Sequence, residues 1–189
     1  IQGIKRKIYY DILSPDDLQQ LYNLYPVTIE VTKGMPPQEK NILSKRRNKV
    51  ILSLMIHQGL RVEEVAAIKL QDLQLRDGKI IIHAQRRIAA RKMNLEPHQV
   101  YELMDYIHEV RKEFLQAHGA TDKLFTQWRN SKNFHTITQM VLKHLRAINS
   151  RIKNFEQIRT SVITQWLKQY DLRKVQYLAG YKYVSSTEA

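Results

Sequence analysis

Two arginines lie in sequence contexts that indicate more than a solvated positive charge. Arg61 follows Gly59 closely, where a predicted helix ends and the backbone turns, and Glu64 lies one helical turn further on. Arg159 lies next to the apolar stripe of a predicted helix over 155–169, between Ile158 and Val162, so it is either buried with partners or lines a pocket. A guanidinium presents five donors in a planar fork that suits a phosphate. Together the two arginines form a candidate phosphate site, although a surface Arg61 paired with Glu64 fits the same spacing.

Other common catalytic sets are not found in the sequence. The seven histidines form no HxxxH or HExxH spacing and the chain has no cysteine, so neither a metal site nor thiolate chemistry is expected. The six glycines are isolated from one another, which excludes a glycine-rich phosphate loop.

The charge of the chain indicates its class of partner. Lysine and arginine number 31 against 18 acidic residues, a formal net charge of +13. Such a field attracts polyanions, of which nucleic acid is the commonest, and a basic surface without a partner is the alternative. No apolar run approaches the roughly 18 residues that span a bilayer, so no membrane partner is expected.

The elements that must position the two arginines are mostly helical. Ser14-Pro15-Asp16-Asp17 is typical of a helix start, with a capping serine, a first-turn proline and early acids. Residues 27–40 contain Gly34 and two prolines and are predicted to form a loop. The predicted helices cover 15–24, 44–58, 63–68, 97–116, 136–148, 155–169 and 172–179, and the predicted strands cover 70–75, 79–83 and 91–95. The predicted fold class is mainly α with a small antiparallel β-sheet, in a single domain.

Two segments around these arginines resemble the sequence boxes of one enzyme family. GLRVEEVAAIKLQDLQLRDGKIII (59–82) resembles the region of the first catalytic arginine in tyrosine recombinases, the phage-type integrases that include XerC-, XerD- and lambda integrase-like enzymes. Arg61 falls on that arginine and Glu64 on a glutamate of the pattern. FEQIRTSVITQWLKQYDLRKVQYLAGY (155–181) resembles the second box, His-x-x-Arg followed by Leu-Gly-His, and places Arg159 on the arginine and Tyr181 on the final histidine.

The resemblance implies a fold and a domain organisation. It extends over about residues 12–189, so residues 1–189 are expected to form one DNA breaking-rejoining domain with the tyrosine-recombinase catalytic fold. The family's N-terminal core-binding domain is expected to be absent. The last residues, VSSTEA, resemble a Ser-Thr-Thr segment that leads into the nucleophilic tyrosine. That nucleophile is expected just after Ala189, and this fragment alone is expected to be inactive.

Three positions depart from the family pattern. Glu156 takes the place of the catalytic histidine of the second box; it can accept a hydrogen bond or a proton and stays a candidate catalytic residue, but it cannot be cationic. Tyr181 can still donate a hydrogen bond. The hairpin lysine, a general acid for the leaving hydroxyl, has no clean counterpart; Arg86 is the closest match, and the nearest lysine is Lys92. Tyr177 and Tyr183 are less suitable nucleophiles, because Tyr177 precedes the helix end and Tyr183 lies two residues from the donor position.

The resemblance implies a mechanism and a partner. Arg61 and Arg159 would bind the scissile phosphate, Glu64 would support Arg61, Tyr181 would donate a hydrogen bond, and Arg86 would reach the leaving oxygen. Arg87, Lys92 and Lys182 would contact DNA. No cofactor is expected, because the protein–DNA ester conserves the bond energy. The implied partner is double-stranded DNA, which the full-length protein would bind as a homotetramer and this fragment as a monomer. The implied location is the cytoplasm of a prokaryotic cell, and the gene would belong to the cell, to a phage or to a mobile element. A non-catalytic DNA-binding module and a helical protein-interaction domain are the alternatives.

Overall fold

The computed structural model describes residues 11–28, 39–85, 88–127 and 134–183. In chain order, its helices and strands are α1 (Pro15–Asn23), α2 (Glu39–His57), α3 (Val62–Ala67), β1 (Leu73–Gln74), β2 (Lys79–Ile82), β3 (Arg91–Asn94), α4 (Pro97–Asp105), α5 (Arg111–His118), α6 (His135–Ile148), α7 (Phe155–Gln169) and α8 (Leu172–Ala179). The predicted fold class, mainly α with a small antiparallel sheet, is confirmed.

Helix α1 begins as its sequence predicts. The Ser14 hydroxyl accepts a hydrogen bond from the Asp17 N–H at 3.0 Å, and the Asp17 carboxylate accepts one from the Ser14 N–H at 2.9 Å. This reciprocal capping satisfies two backbone donors at the helix start. Leu18 and Leu21 are buried on the inner face of the helix.

Helix α2 is the central element of the fold. It contacts α1, α4, α6 and α7, and residues 50–56 are buried without interruption. Neighbours on several sides explain why this helix lacks a one-sided apolar stripe. It begins at Glu39, earlier than predicted, so the predicted loop over 27–40 is wrong for its last two residues, and 29–38 lie outside the described residues.

The sheet contains three antiparallel strands in the order β1-β2-β3. The predicted strand over 70–75 is mostly wrong, since short 3₁₀ turns at Leu70–Asp72 and Leu75–Asp77 flank a two-residue β1. Local hydrogen bonds explain the first turn: the Asp72 carboxylate accepts the Lys69 N–H at 2.8 Å, and the Leu70 N–H donates to the Asp122 carbonyl at 2.9 Å. These bonds replace pairing with β2.

The predicted helix over 97–116 is a continuous helical rod with a wide π turn in its middle. Helix α4 leads into the turn at Tyr106–Val110, and α5 continues from it. Tyr106, Val110 and Phe114 are fully buried. The wider turn keeps these large side chains on the inner face of the rod.

The last helices complete the core. Most buried apolar side chains of the described residues form one cluster, and a small second cluster joins Ile163 on α7 to Val175 and Ala179 on α8. Among the described residues, no helix is long and apolar enough to cross a membrane.

Candidate active site

Arg61 lies at the N-terminus of α3, just after a turn that requires glycine. Gly59 has φ +56°, and a Cβ there would lie 2.9 Å from the Trp166 ring. The Arg61 N–H donates to Glu64 Oε2 at 2.8 Å, and the Glu64 side chain is fully buried. Glu64 therefore caps the backbone at Arg61, and its ion pairs in the described structure are with Arg91 and Arg159. The alternative of a surface Arg61–Glu64 pair is wrong.

Arg159 is buried with partners, as one of the two sequence alternatives requires. Only 2% of its side chain is exposed. Its guanidinium donates to the Gly59 carbonyl from Nη1 and to the Ala179 carbonyl from Nη2, the second at 2.7 Å. The side chain thus joins the end of α2, helix α7 and the end of α8.

Tyr181 follows directly after α8, which ends at Gly180 in the left-handed conformation, φ +70°. Its ring centroid lies 5.9 Å from Arg61 Cζ and 5.6 Å from Arg159 Cζ. The structure therefore brings Arg61, Arg159 and Tyr181 together across 120 residues of sequence, as the resemblance implies.

Burial shapes the electrostatics of this site. The pKa of Arg159 is lowered from its ordinary value, chiefly because burial disfavours the cation. The nearby Arg61 cation lowers the pKa of Arg159 further, whereas Tyr181, Glu64 and Glu156 raise it. Glu156 is exposed in the first turn of α7, one turn before Arg159. It thus lies close enough to act on Arg159 through its charge.

Arg91 is a site residue that the sequence reasoning missed. It lies on β3 with a fully buried side chain, and its Nη1 donates to Glu64 Oε1 at 2.5 Å. The two-residue alternation of a strand could have indicated that Arg91 is buried, because it shares a face with Met93 and Leu95. All three are buried in the structure.

The β2–β3 hairpin (residues 79–94) meets the same site at its loop. The Ala89 N–H donates to the Gly180 carbonyl at 2.9 Å, and Ile88 pairs with Tyr181. Arg86 and Arg87, the predicted leaving-group donor and a predicted DNA contact, lie outside the described residues. So does the segment 184–189 that resembles the approach to the nucleophile.

The two predicted DNA-contacting lysines are both on the surface. Lys92 is exposed on β3, where its backbone N–H and carbonyl both bond to the Tyr177 hydroxyl at 3.0 Å. Lys182 is exposed immediately after Tyr181. Tyr177 is thus tied to β3, while the other internal tyrosine considered as a nucleophile, Tyr183, is 72% exposed.

The site combines three guanidiniums with one buried carboxylate. Within the described residues, the buried Nε atoms of Arg61, Arg91 and Arg159 have no hydrogen-bond partner. Buried donors are nearly always paired in folded proteins, so this excess of positive charge and free donors suits an anion. In the same part of the chain, no group of three or more His, Cys, Asp or Glu side chains could hold a metal.

Comparison with known proteins extends these observations. The chain is 27% identical over 195 residues to the tyrosine recombinase XerD of Proteus mirabilis, covering 96% of this chain and 61% of the relative. It is 25% identical over 145 residues to the TnP I resolvase of Bacillus thuringiensis, covering 76% of this chain and 49% of the relative. The chain thus spans about half to three fifths of the length of these relatives.

Solved structures share the fold. The crystal structure of XerA recombinase matches 96% of this chain and 60% of its own, with a TM-score of 0.72 and 20% identity. The XerH recombinase bound to its difH substrate matches 94% of this chain and 48% of its own, with a TM-score of 0.72 and 17% identity. The fold is that of the tyrosine-recombinase catalytic domain. The model of the phage integrase family matches residues 35–189, and the chain belongs to that family.

Proposed function

We propose that this chain is the catalytic domain of a site-specific DNA recombinase that cleaves and rejoins strands through a 3′-phosphotyrosyl intermediate. The observation that carries this proposal is the convergence of Arg61 and Arg159 on Tyr181, with Nε donors on both arginines that find no partner among the described residues. The names of the relatives, tyrosine recombinase and resolvase, support the same activity.

In the proposed reaction the two arginines bind the non-bridging oxygens of the scissile phosphate. They stabilise the charge that builds up as a tyrosine oxygen attacks phosphorus. The tyrosine hydroxyl loses its proton to water as its oxygen forms the new phosphotyrosyl bond, and the bond from phosphorus to the 5′ oxygen breaks. The 5′ oxygen leaves with the electron pair and takes a proton from water, while Arg86 would donate a hydrogen bond to it. Attack by the 5′ hydroxyl of a partner strand reverses these steps and rejoins the DNA.

The nucleophile of this proposal is a tyrosine beyond Ala189. Tyr177 does not suit the role, because its hydroxyl is occupied by both backbone groups of Lys92. The ring of Tyr181 lies beside Arg61 and Arg159, and its hydroxyl would donate a hydrogen bond to the phosphate. Lys92 and Lys182, both exposed, and Arg87 are proposed to contact DNA near the scissile phosphate.

Double-stranded DNA is the proposed partner, and a homotetramer of the complete protein is the proposed assembly. The net charge of +13 supports DNA binding. So do neighbours of the same fold solved with DNA, including XerH with its difH substrate and a lambda integrase dimer on a core site.

The test is covalent capture of DNA by the complete protein that the gene encodes. Nicked duplexes with a randomised core are incubated with the protein, and adducts that survive detergent are separated on a gel and sequenced. The unsubstituted protein should form adducts, and Tyr183→Phe should still do so. Arg61→Ala should lower adduct formation about 100-fold or more, with only a modest loss of DNA affinity.

A second function is favoured by one observation, the exposed carboxylate of Glu156 at the position of the family's histidine. An anion there opposes phosphate binding, as expected for a DNA-binding module that has lost its chemistry. This alternative predicts salt-sensitive DNA binding without any adduct. Equal losses of binding and of adduct in Arg61→Ala would also support it over cleavage.

A further inference from the structure

Arg91 occupies the buried side of the arginine pair and has no role in the reaction described above. Its side chain and that of Glu64 are both 0% exposed, and Nη1 of Arg91 lies 2.5 Å from Oε1 of Glu64. Within the described residues, Nε and Nη2 of Arg91 have no hydrogen-bond partner. A buried arginine with one carboxylate partner and two unused donors is costly to retain, which points to a role beyond packing.

Glu64 lies between two arginines that compete for its carboxylate. Oε1 is taken by Arg91 at 2.5 Å, while Oε2 lies 3.8 Å from Nη1 of Arg159 and accepts the Arg61 N–H at 2.8 Å. The close ion pair is therefore the one with Arg91. Arg159 makes only the 3.8 Å ion pair with Glu64 and donates its hydrogen bonds to two backbone carbonyls.

We propose that Arg91 is a positioning residue that binds Glu64 and thereby keeps Arg159 available for the phosphate. This inference rests on the proposed function, since it assumes that Arg159 binds the scissile phosphate. Without Arg91, the fully buried Glu64 carboxylate would have Arg159 as its nearest cation. A buried carboxylate draws in the cation within its reach, so Glu64 would neutralise Arg159 and pull it from its bonds to Gly59 and Ala179.

The first experiment measures phosphate binding by the arginine pair directly. Inorganic phosphate is titrated into the ¹⁵N-labelled chain, and the shifts of the Arg61 and Arg159 Nε–H signals give the affinity. Arg91→Met should weaken phosphate binding about tenfold or more, and Arg91→Lys should recover most of the loss because it keeps a cation beside Glu64.

The matched control is a second buried arginine outside the site. Arg111 is 6% exposed and donates to the backbone carbonyls of Thr121, Lys123 and Leu124. Arg111→Met therefore removes a buried guanidinium without freeing a carboxylate. It should lower the thermal stability of the chain but leave phosphate affinity within about twofold at temperatures where the variant is folded.

A double variant separates positioning from folding. In Glu64→Gln one carboxylate oxygen becomes an NH2 group, which would face another donor, either the Arg91 guanidinium or the Arg61 N–H. This donor–donor conflict should disturb the site, so the single change should also weaken phosphate binding. Adding Arg91→Met removes the conflict and the buried charge together. The double variant should bind phosphate more tightly than Arg91→Met alone, a coupling that independent structural losses would not produce.

The outcomes distinguish this inference from the function on which it rests. If the unsubstituted chain shows no phosphate-dependent shift of either arginine, the proposed function fails and the inference with it. If the unsubstituted chain binds phosphate and Arg91→Met binds it equally well, only the role of Arg91 is overturned. Should Arg91→Met not fold, the phosphate affinity of the double variant is compared with that of Glu64→Gln, and equal affinities overturn the role of Arg91 in the same way. In the complete protein, Arg91→Met should lower the rate constant of adduct formation about 100-fold while the DNA Kd stays within about threefold.

Discussion

Glu156 and Arg159 are one helical turn apart on α7, and their environments differ sharply. Arg159 is 2% exposed and bonded to two carbonyls, whereas Glu156 is exposed to solvent. The carboxylate raises the pKa of Arg159 and so favours its cationic form, although burial works against that form. The same negative charge reduces the positive potential that a phosphate would meet. The identity of residue 156 should therefore affect the reaction more than the fold.

Replacing Glu156 with histidine should speed up DNA cleavage. Glu156→His removes an anion and adds a group that can be cationic and can transfer a proton, so the adduct should form about tenfold faster. The gain should be largest below pH of about 6.5, where an unperturbed histidine is protonated, and should shrink above it. Single-turnover adduct formation across pH measures both effects.

The control for this prediction is Glu113→His, which makes the same charge change at an exposed position on α5. It should leave the rate within about twofold. A slower Glu156→His together with a slower Glu156→Gln would contradict the prediction, because it would mean that the carboxylate itself takes part in the reaction.

At the residue scale, the sequence predicted the members of the site that carry family motifs. Arg61, Arg159 and Tyr181 were placed together by the resemblance, and the structure confirms their proximity. Glu64 was predicted to support Arg61, and it does accept the Arg61 N–H, but its ion pairs with Arg91 and Arg159 were not predicted. Spacing along one helix shows neighbours in sequence but not a strand that crosses behind them. The alternation around Arg91 could have indicated its burial, but only the fold shows which carboxylate it meets.

At the scale of elements, backbone groups build the site as much as side chains do. The Gly59 and Ala179 carbonyls, at the ends of α2 and α8, fix the guanidinium of Arg159. The Gly180 carbonyl accepts the Ala89 N–H of the hairpin. The position of Arg159 therefore depends on where two helices end, and a glycine with positive φ follows each of these helices.

Gly180→Ala should destabilise the protein more than the same change at another left-handed glycine. A Cβ at Gly180 would overlap Nη1 and lie 2.9 Å from Cζ of Arg91, a side chain that is held by Glu64. At Gly78, with φ +59°, the nearest atom would be 3.9 Å away. Gly78→Ala should cost about 1 kcal/mol of unfolding free energy through backbone strain, and Gly180→Ala about 2–4 kcal/mol.

Urea denaturation of the two variants under identical conditions measures this difference. Equal losses of unfolding free energy would show that Arg91 moves aside without cost, and would weaken the case that it is rigidly placed. A larger loss in Gly180→Ala, accompanied by weaker phosphate binding, is the expected result, since displacing Arg91 also frees Glu64.

The elements that the sequence predicted well are those with strong local signals. The capped start of α1 and the glycine after α8 are recognisable from a few residues. The segment 70–75 was predicted as a strand because a tight turn at Arg76-Asp77-Gly78 and a second strand follow it, but Asp72 and the chain near Asp122 supply competing hydrogen bonds. The π turn at Tyr106–Val110 was not predicted either, since it follows from packing of large side chains rather than from local propensity.

At the scale of the whole molecule, the net charge of +13 is unevenly neutralised. Several surface cations have close acidic partners: Arg46 pairs with Asp105 at 2.6 Å, and Arg151 pairs with Asp11 at 2.6 Å and with Asp17 at 3.5 Å. At the site, the buried Glu64 carboxylate pairs with the guanidiniums of Arg91 and Arg159, whereas Arg61 reaches it only through its backbone N–H. Positive charge that is available to a polyanion is thus expected at the site rather than at the paired surface positions.

The salt dependence of DNA binding should report this distribution. If the chain neutralises about six to ten phosphates, the logarithm of the binding constant should fall with the logarithm of salt concentration with a slope between about −5 and −9. Arg61→Ala should reduce the magnitude of that slope by about one, because one phosphate contact is lost. Arg151→Ala should leave the slope unchanged, because Arg151 is already neutralised by Asp11 and Asp17. Fluorescence anisotropy with a labelled duplex at four or more salt concentrations measures all three slopes. Equal changes in the two variants would mean that binding depends on total charge alone, and that the arginine site does not contact the backbone of DNA.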